Sequence, residues 1–197
     1  MRIKLLGSQG YEHAVLGMML SYGKTSFDNF GADDQDIDRV ANKLAGMDGG
    51  HNKFLEQIQY WLLIEAPLYW WKQFDTYRIG VSKSSESTMH KSWKNGLTQD
   101  NFENPVFPET LDKLNALIRE YTGGLASPQR KQTVEQMIIN NLPDGYLQTR
   151  MVNINAKSLR NIYFQRKDHK LKQWRELCDY IKNMPYGHLI TKEKQDG

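Results

Sequence analysis

Apolar residues recur along this chain with two different periods, and the change of period marks out its elements. In residues 11–22, Ala14, Val15, Met18 and Met19 form a helical stripe, and Gly23 stands where a left-handed cap would end the helix. After an acidic loop, Ile37, Val40, Ala41 and Leu44 repeat the helical spacing behind Asp33 or Asp34 as N-cap, in a helix expected to stop near Gly49 and Gly50. The period then drops to two. Ile58, Tyr60, Leu62 and Ile64 alternate with polar neighbours and predict a strand over residues 57–65 with one well-buried face.

Pro67 sits just past that strand, where it can open a short helix over residues 67–76 that carries Tyr69, Trp70, Trp71 and Phe74. Large aromatics beside a strand are read as core or subunit interface in preference to a stacking platform. Residues 80–90, GVSKSSESTMH, are small and hydroxyl-rich and predict a loop. Pro108 and then Ser127 with Pro128 start two further helices, and Pro143 ends the second. Past Gly145, the stretch with Leu147, Thr149 and Met151 is strand-like. It leads into a helix capped by Asn155 or Ser158 and then into the helical positions Leu171, Trp174, Leu177, Tyr180 and Ile181. The polar tail from Thr191 is expected to fray.

Composition narrows the class. At 197 residues and 39% hydrophobic, the chain supports one substantial core, so residues 1–197 are expected to form a single domain. No apolar segment approaches membrane-spanning length and no leader pattern opens the chain, which makes the cytoplasm the expected compartment. Cys178 is the one cysteine, so neither an intrachain disulfide nor a thiolate metal cluster can form, and no metal site is expected. The 26 basic and 23 acidic residues are interleaved, and a net charge of +3 argues against a stable nucleic-acid complex while leaving small anionic ligands open. No phosphate loop, dinucleotide fingerprint, zinc-binding His-Glu-x-x-His or nucleophile elbow is present.

Two segments, in order, carry a resemblance. Residues 57–90 place a strand, a proline-initiated helix ending in Lys72-Gln73 and the triplet Thr76-Tyr77-Arg78 ahead of a hydroxyl-rich loop. Residues 155–166, NAKSLRNIYFQR, follow the pattern Asn-Ala-Arg-Ser-Leu, Asn and Arg, and GGHNKFLEQ at residues 49–57 echoes a His-containing segment before the strand. Together these resemble the flavin-dependent thymidylate synthases over about half of the chain. The resemblance implies an α+β fold, mixed in its layering, with an antiparallel-rich central sheet flanked by helices. It implies FAD as cofactor, methylenetetrahydrofolate as one-carbon donor, NADPH as reductant, a pyrimidine deoxynucleotide such as dUMP as substrate, and a homotetramer whose active sites draw on several subunits.

By the same resemblance, Arg166 meets the pyrimidine and is the catalytic residue, since a guanidinium can bond a carbonyl oxygen and stabilise charge developing on the base. His51, Tyr77, Arg78, Asn155, Lys157 and Asn161 would meet the flavin, and Gln73, Ser85, Glu86, Ser87 and Thr88 the nucleotide. Each has a plainer reading beside it. Asn155 can be a helix cap, Arg78 a surface ion pair, Arg166 a solvated helix arginine, His51 a surface group, and residues 85–88 a loop. Cys178 has no basic neighbour to activate it and reads as structural, unlike the cysteine nucleophile of classical thymidylate synthases. The family's triplet is Arg-His-Arg, so Thr76 and Tyr77 replace an arginine and a histidine. Met89 or His90 replaces the arginine closing the loop, and Ile139 or Asn140 stands near another. A lost charge-assisted phosphate contact costs about 1.5 to 3 kcal/mol, which sets a nucleotide-binding or assembly protein without turnover beside the enzyme. Nucleic-acid binding through residues 60–94 is the remaining alternative.

Overall fold

A computed structural model of the chain describes residues 1–47, 50–87, 93–124 and 126–193. Thr88, Met89, His90 and Gly49, and the last four residues of the polar tail, lie outside the described residues. The elements run β1 (Arg2–Gln9), α1 (Tyr11–Met19), α2 (Asp34–Ala45), β2 (Gln59–Pro67), α3 (Leu68–Phe74), β3 (Val81–Ser85), α4 (Pro108–Thr122), α5 (Pro128–Asn141), β4 (Leu147–Asn155), α6 (Ala156–Arg166), α7 (Lys172–Lys182) and α8 (Gly187–Ile190). The four strands form one sheet in the order β1-β2-β4-β3, so the central pair is joined by non-consecutive strands. This is the α+β arrangement of helices and antiparallel sheet.

The local signals explain most boundaries. Gly23 takes φ 64 after a 3-10 turn at Leu20–Tyr22 that extends α1. Asp33 caps α2 by accepting from Asp36 N at 2.7 Å. Pro108 and Pro128 occupy the first turns of α4 and α5, and Ser127 accepts from Arg130 N at 3.3 Å. One segment departs from expectation. Residues 81–85 are strand β3 and not loop, because a hydroxyl-rich stretch can borrow its order from a neighbouring strand's ladder. Strand β4 forms where the sequence predicts one; its buried positions are Gln148, Val152, Ile154 and Asn155, while Met151 is exposed, so the core lies on the face opposite to Leu147 and Met151. The tail also stays docked at first: Thr191 N donates to Gly187 O at 2.9 Å and Lys192 Nζ to Asn42 O at 2.5 Å.

The contacts divide into two compact units. One comprises Met1–Arg2, Ile64–Thr76 and Ser84–Arg150. Its core joins α4 and α5 through Leu114, Ile118, Val134 and Ile138, with Trp93 and Tyr146 packed on them. Trp70, Trp71 and Phe74 are buried as well, and form a mutual aromatic cluster with ring centroids 4.9 to 5.5 Å apart. The other unit comprises Ile3–Leu63, Tyr77–Lys83 and Met151–Gly197. There, Val15 and Leu16 of α1, Ile58, Tyr60 and Leu62 around β2, and Leu159 and Ile162 of α6 are buried. Cys178 is buried with them on α7, where burial pushes its thiol up to about 11. A thiol this hard to ionise is a packing group.

Candidate functional site

The junction of β4 with α6 positions the polar residues singled out by the sequence. Asn155 ends the strand in an extended conformation and caps α6, its Oδ1 accepting from Ser158 N at 2.8 Å. Its own N–H donates to Gly80 O at 3.1 Å, and the Ser158 hydroxyl donates to Ile79 O at 2.6 Å. The segment after Arg78 is thereby fastened to the start of α6 by both main chain and side chain.

Gly80 makes that approach possible. It has φ +66, and a Cβ added there would sit 2.1 Å from Asn155 Nδ2 and 2.9 Å from Ser158 Oγ. We therefore expect Gly80→Ala to lower the unfolding free energy by about 1 to 3 kcal/mol, more than the roughly 1 kcal/mol expected for removing the cap with Asn155→Ala. Denaturant unfolding of both variants checks the order; equal stabilities for Gly80→Ala and wild type would mean that the turn is not held as described. Gly80 carries no chemistry, so no sequence signal marks it as a site residue.

Lys157 and Asn161 lie one turn apart on α6. Lys157 Nζ is hydrogen-bonded to Asn52 Oδ1. Asn52 is completely buried and its Nδ2 donates to Ala45 O at 3.3 Å, so one side chain ties the end of α2 to α6. Nothing in the sequence distinguished Asn52 from an ordinary loop asparagine. His51, beside it, is exposed and lines a cleft of about 450 Å³ with Gly17, Ser21, Tyr22, Lys53 and Gln57. Asn161 and Arg78 are exposed.

Arg166 closes α6. Its Nε donates to Tyr77 Oη at 2.8 Å, and its guanidinium carbon lies 4.7 Å from the centre of the buried Trp174 ring. Tyr77 Oη in turn donates to Gln165 Oε1 at 2.9 Å. His169 stands edge-on to the same tryptophan at 6.3 Å, and its pKa is lowered by desolvation and then by Arg166, Lys170 and Arg175. This end of the helix is electropositive. Tyr77, Arg166 and the Asn155–Gly80 junction thus belong to one unit, with the turn after Arg78 running along α6.

Gln73, Ser85, Glu86 and Ser87 belong to the other unit. Glu86 is pinned to β4: its N–H donates to Thr149 O at 2.9 Å, and Gln148 Nε2 donates to its carbonyl at 2.8 Å. With Glu65 and Asp100 it lines an open cleft of about 500 Å³, in which Arg2 is paired with Glu65 at 2.6 Å. Ser85 and Ser87 are exposed and Gln73 is half-buried. Arg150, which no sequence motif marks, is also in this unit. It bonds Asp75 at 3.0 and 3.1 Å and Gln148 Oε1 at 2.8 Å, and lies over Trp71 at 4.4 Å.

A four-stranded sheet whose strand β4 runs through Asn155 into α6 is the fold that solved structures of flavin-dependent thymidylate synthases share with this chain. The crystal structure of the flavin-dependent thymidylate synthase ThyX from Helicobacter pylori, complexed with FAD and dUMP, superposes with a TM-score of 0.71 at 16% identity, covering 99% of this chain and 100% of that one. The UMP/dUMP methylase PolB from Streptomyces cacaoi, bound with 5-Br dUMP, superposes with a TM-score of 0.65 at 12% identity, covering 96% and 93%. Among proteins with curated functions, none matches the sequence significantly. The model of the thymidylate synthase complementing protein family, Thy1, matches residues 8–185, and the chain belongs to that family.

Proposed function

We propose that this chain catalyses the flavin- and folate-dependent transfer of a one-carbon unit to C5 of a pyrimidine deoxynucleotide, dUMP or a close relative. The observation that carries the reading is the α6 assembly: a helix whose start is locked to a glycine turn and whose end holds an arginine with only its Nε committed among the described residues. Family membership supports it, as do fold relatives whose structures hold FAD and dUMP.

Lys157 and Asn161 one turn apart on α6, with Arg78 beside the turn fastened to its start, suit an anionic cofactor. His51, Arg78, Asn155, Lys157 and Asn161 would hold FAD, which supplies the redox equivalents when bound. Gln73, Ser85, Glu86, Ser87 and Thr88 would meet the nucleotide, and Arg166 would bond the pyrimidine and stabilise charge developing on it. Methylenetetrahydrofolate serves as one-carbon donor and NADPH as reductant in this reading. Residues 1–197 act as one functional domain in a cytoplasmic homotetramer; the exposed Leu6, Leu63 and Met151 on strands β1, β2 and β4 are in keeping with further assembly. No helix among the described residues is long and apolar enough to cross a membrane.

The second reading, a nucleotide-binding or assembly protein without turnover, rests on Thr76 and Tyr77 and on the carboxylates around Glu86. The absorption spectrum of the purified protein separates the two. We expect a yellow protein with bound oxidised flavin, whose spectrum shifts on adding dUMP, and release of the C5 proton of dUMP when NADPH and methylenetetrahydrofolate are supplied. A colourless protein that takes up no added FAD would rule out the enzyme.

A further inference from the structure

An arginine offers planar ligands two paired edges, one made by Nε with an Nη and the other by the two Nη atoms. In Arg166 the first edge is occupied, because Tyr77 Oη accepts from Nε at 2.8 Å. The hydroxyl proton of Tyr77 is committed as well, to Gln165 Oε1 at 2.9 Å. The tyrosine ring is braced edge-on against Trp174, with centroids 5.8 Å apart and planes at 67°. The same buried tryptophan supports the guanidinium from below at 4.7 Å. Nη1 and Nη2 have no hydrogen-bond partner among the described residues, so the arginine is aimed before any ligand arrives.

We propose that Tyr77 is a positioning residue: by taking the Nε edge of Arg166 it leaves the Nη1/Nη2 edge as the one presented to the pyrimidine, and it makes no contact with the flavin itself. The inference rests on the reading of Arg166 as the pyrimidine-binding group. Chemically, the fixed edge is a pair of in-plane donors, which suits the carbonyl oxygens of a uracil ring. Preorganisation lowers the entropy lost when the bonds form, because a long side chain is already held in its bound rotamer.

Tyr77→Phe deletes the hydroxyl and keeps the ring against Trp174. Binding of dUMP and of FAD is measured separately, by calorimetry, for wild type, Tyr77→Phe, Arg166→Gln and the double variant. We expect Tyr77→Phe to weaken dUMP binding about tenfold, to leave the FAD affinity within about twofold of wild type, and to add no further loss once Arg166 is glutamine. Weakened FAD binding with unchanged dUMP binding would make Tyr77 a cofactor contact and overturn the proposal. So would a tenfold loss that persists in full in the Arg166→Gln background, since the effect then would not pass through the arginine. A wild-type chain that binds no dUMP overturns the functional reading itself, a result distinct from either of these.

Discussion

Replacing Arg166 with alanine is expected to lower dUMP-dependent turnover by roughly two to three orders of magnitude while leaving bound flavin in place. Nε and the guanidinium face are already used, by Tyr77 and Trp174, so the terminal nitrogens are what the chain has to offer a ligand at this end of α6. Losing them removes donors placed where charge develops on the base, and the effect falls on the chemical step more than on folding. The stacked guanidinium contributes about 0.5 to 2 kcal/mol to stability, too little to unfold the domain. Arg166→Lys keeps the charge but not the fork, and is expected to recover only a small part of the rate. Release of the C5 proton from dUMP is the direct assay. Turnover within about threefold of wild type in the alanine variant would remove Arg166 from the mechanism.

The largest expected effect on stability is at Trp71. Its side chain is fully buried, its Nε1 donates to Gln148 O at 2.9 Å, and its ring meets Trp70 and Phe74 edge-on. Arg150 lies over the ring at 4.4 Å and pairs with Asp75. Trp71→Ala opens a cavity worth about 3 to 5 kcal/mol and leaves a strand carbonyl and an arginine without one of their contacts. Against a total of about 5 to 15 kcal/mol for a domain, this is a large fraction. The melting temperature should fall by roughly 10 °C at about 2 to 4 °C per kcal/mol. Trp71→Phe, which refills most of the space, should lose less than half as much. A drop under about 3 °C for the alanine variant would show that the site collapses around the void or that the cluster is not core.

The sequence by itself determined the elements whose boundaries are local events. Pro108, and Ser127 with Pro128, start their helices through a preset φ and a hydroxyl cap; a capping side chain is legible at the starts of α2 and α6, where the fold chooses Asp33 over Asp34 and Asn155 over Ser158; and the alternation through Tyr60, Leu62 and Ile64 sets one face of β2 into the core. The family pattern in residues 155–166 was legible for the same reason, since a run of side chains at fixed helical spacing is a one-dimensional signal. Strand β3 has the sequence of a loop because Val81–Ser85 carries almost no apolar pattern of its own. Strand β1 leaves only a weak signal, since Ile3 and Leu5 alternate with Arg2 and Lys4 for two periods before Leu6 and Gly7 break the pattern.

What the tertiary structure alone decided is how distant residues share work. Tyr77 and Arg166 are 89 positions apart and Asn52 and Lys157 are 105 apart, and neither spacing carries a local preference. Gly80 has the composition of a loop, and only the fold sets Asn155 against it. Such pairings arise when the hydrophobic faces of β2, β4 and α6 bury together and bring their polar edges into register. Each polar group near that core must then find a partner or pay the desolvation penalty, so packing selects contacts that a linear sequence does not spell out.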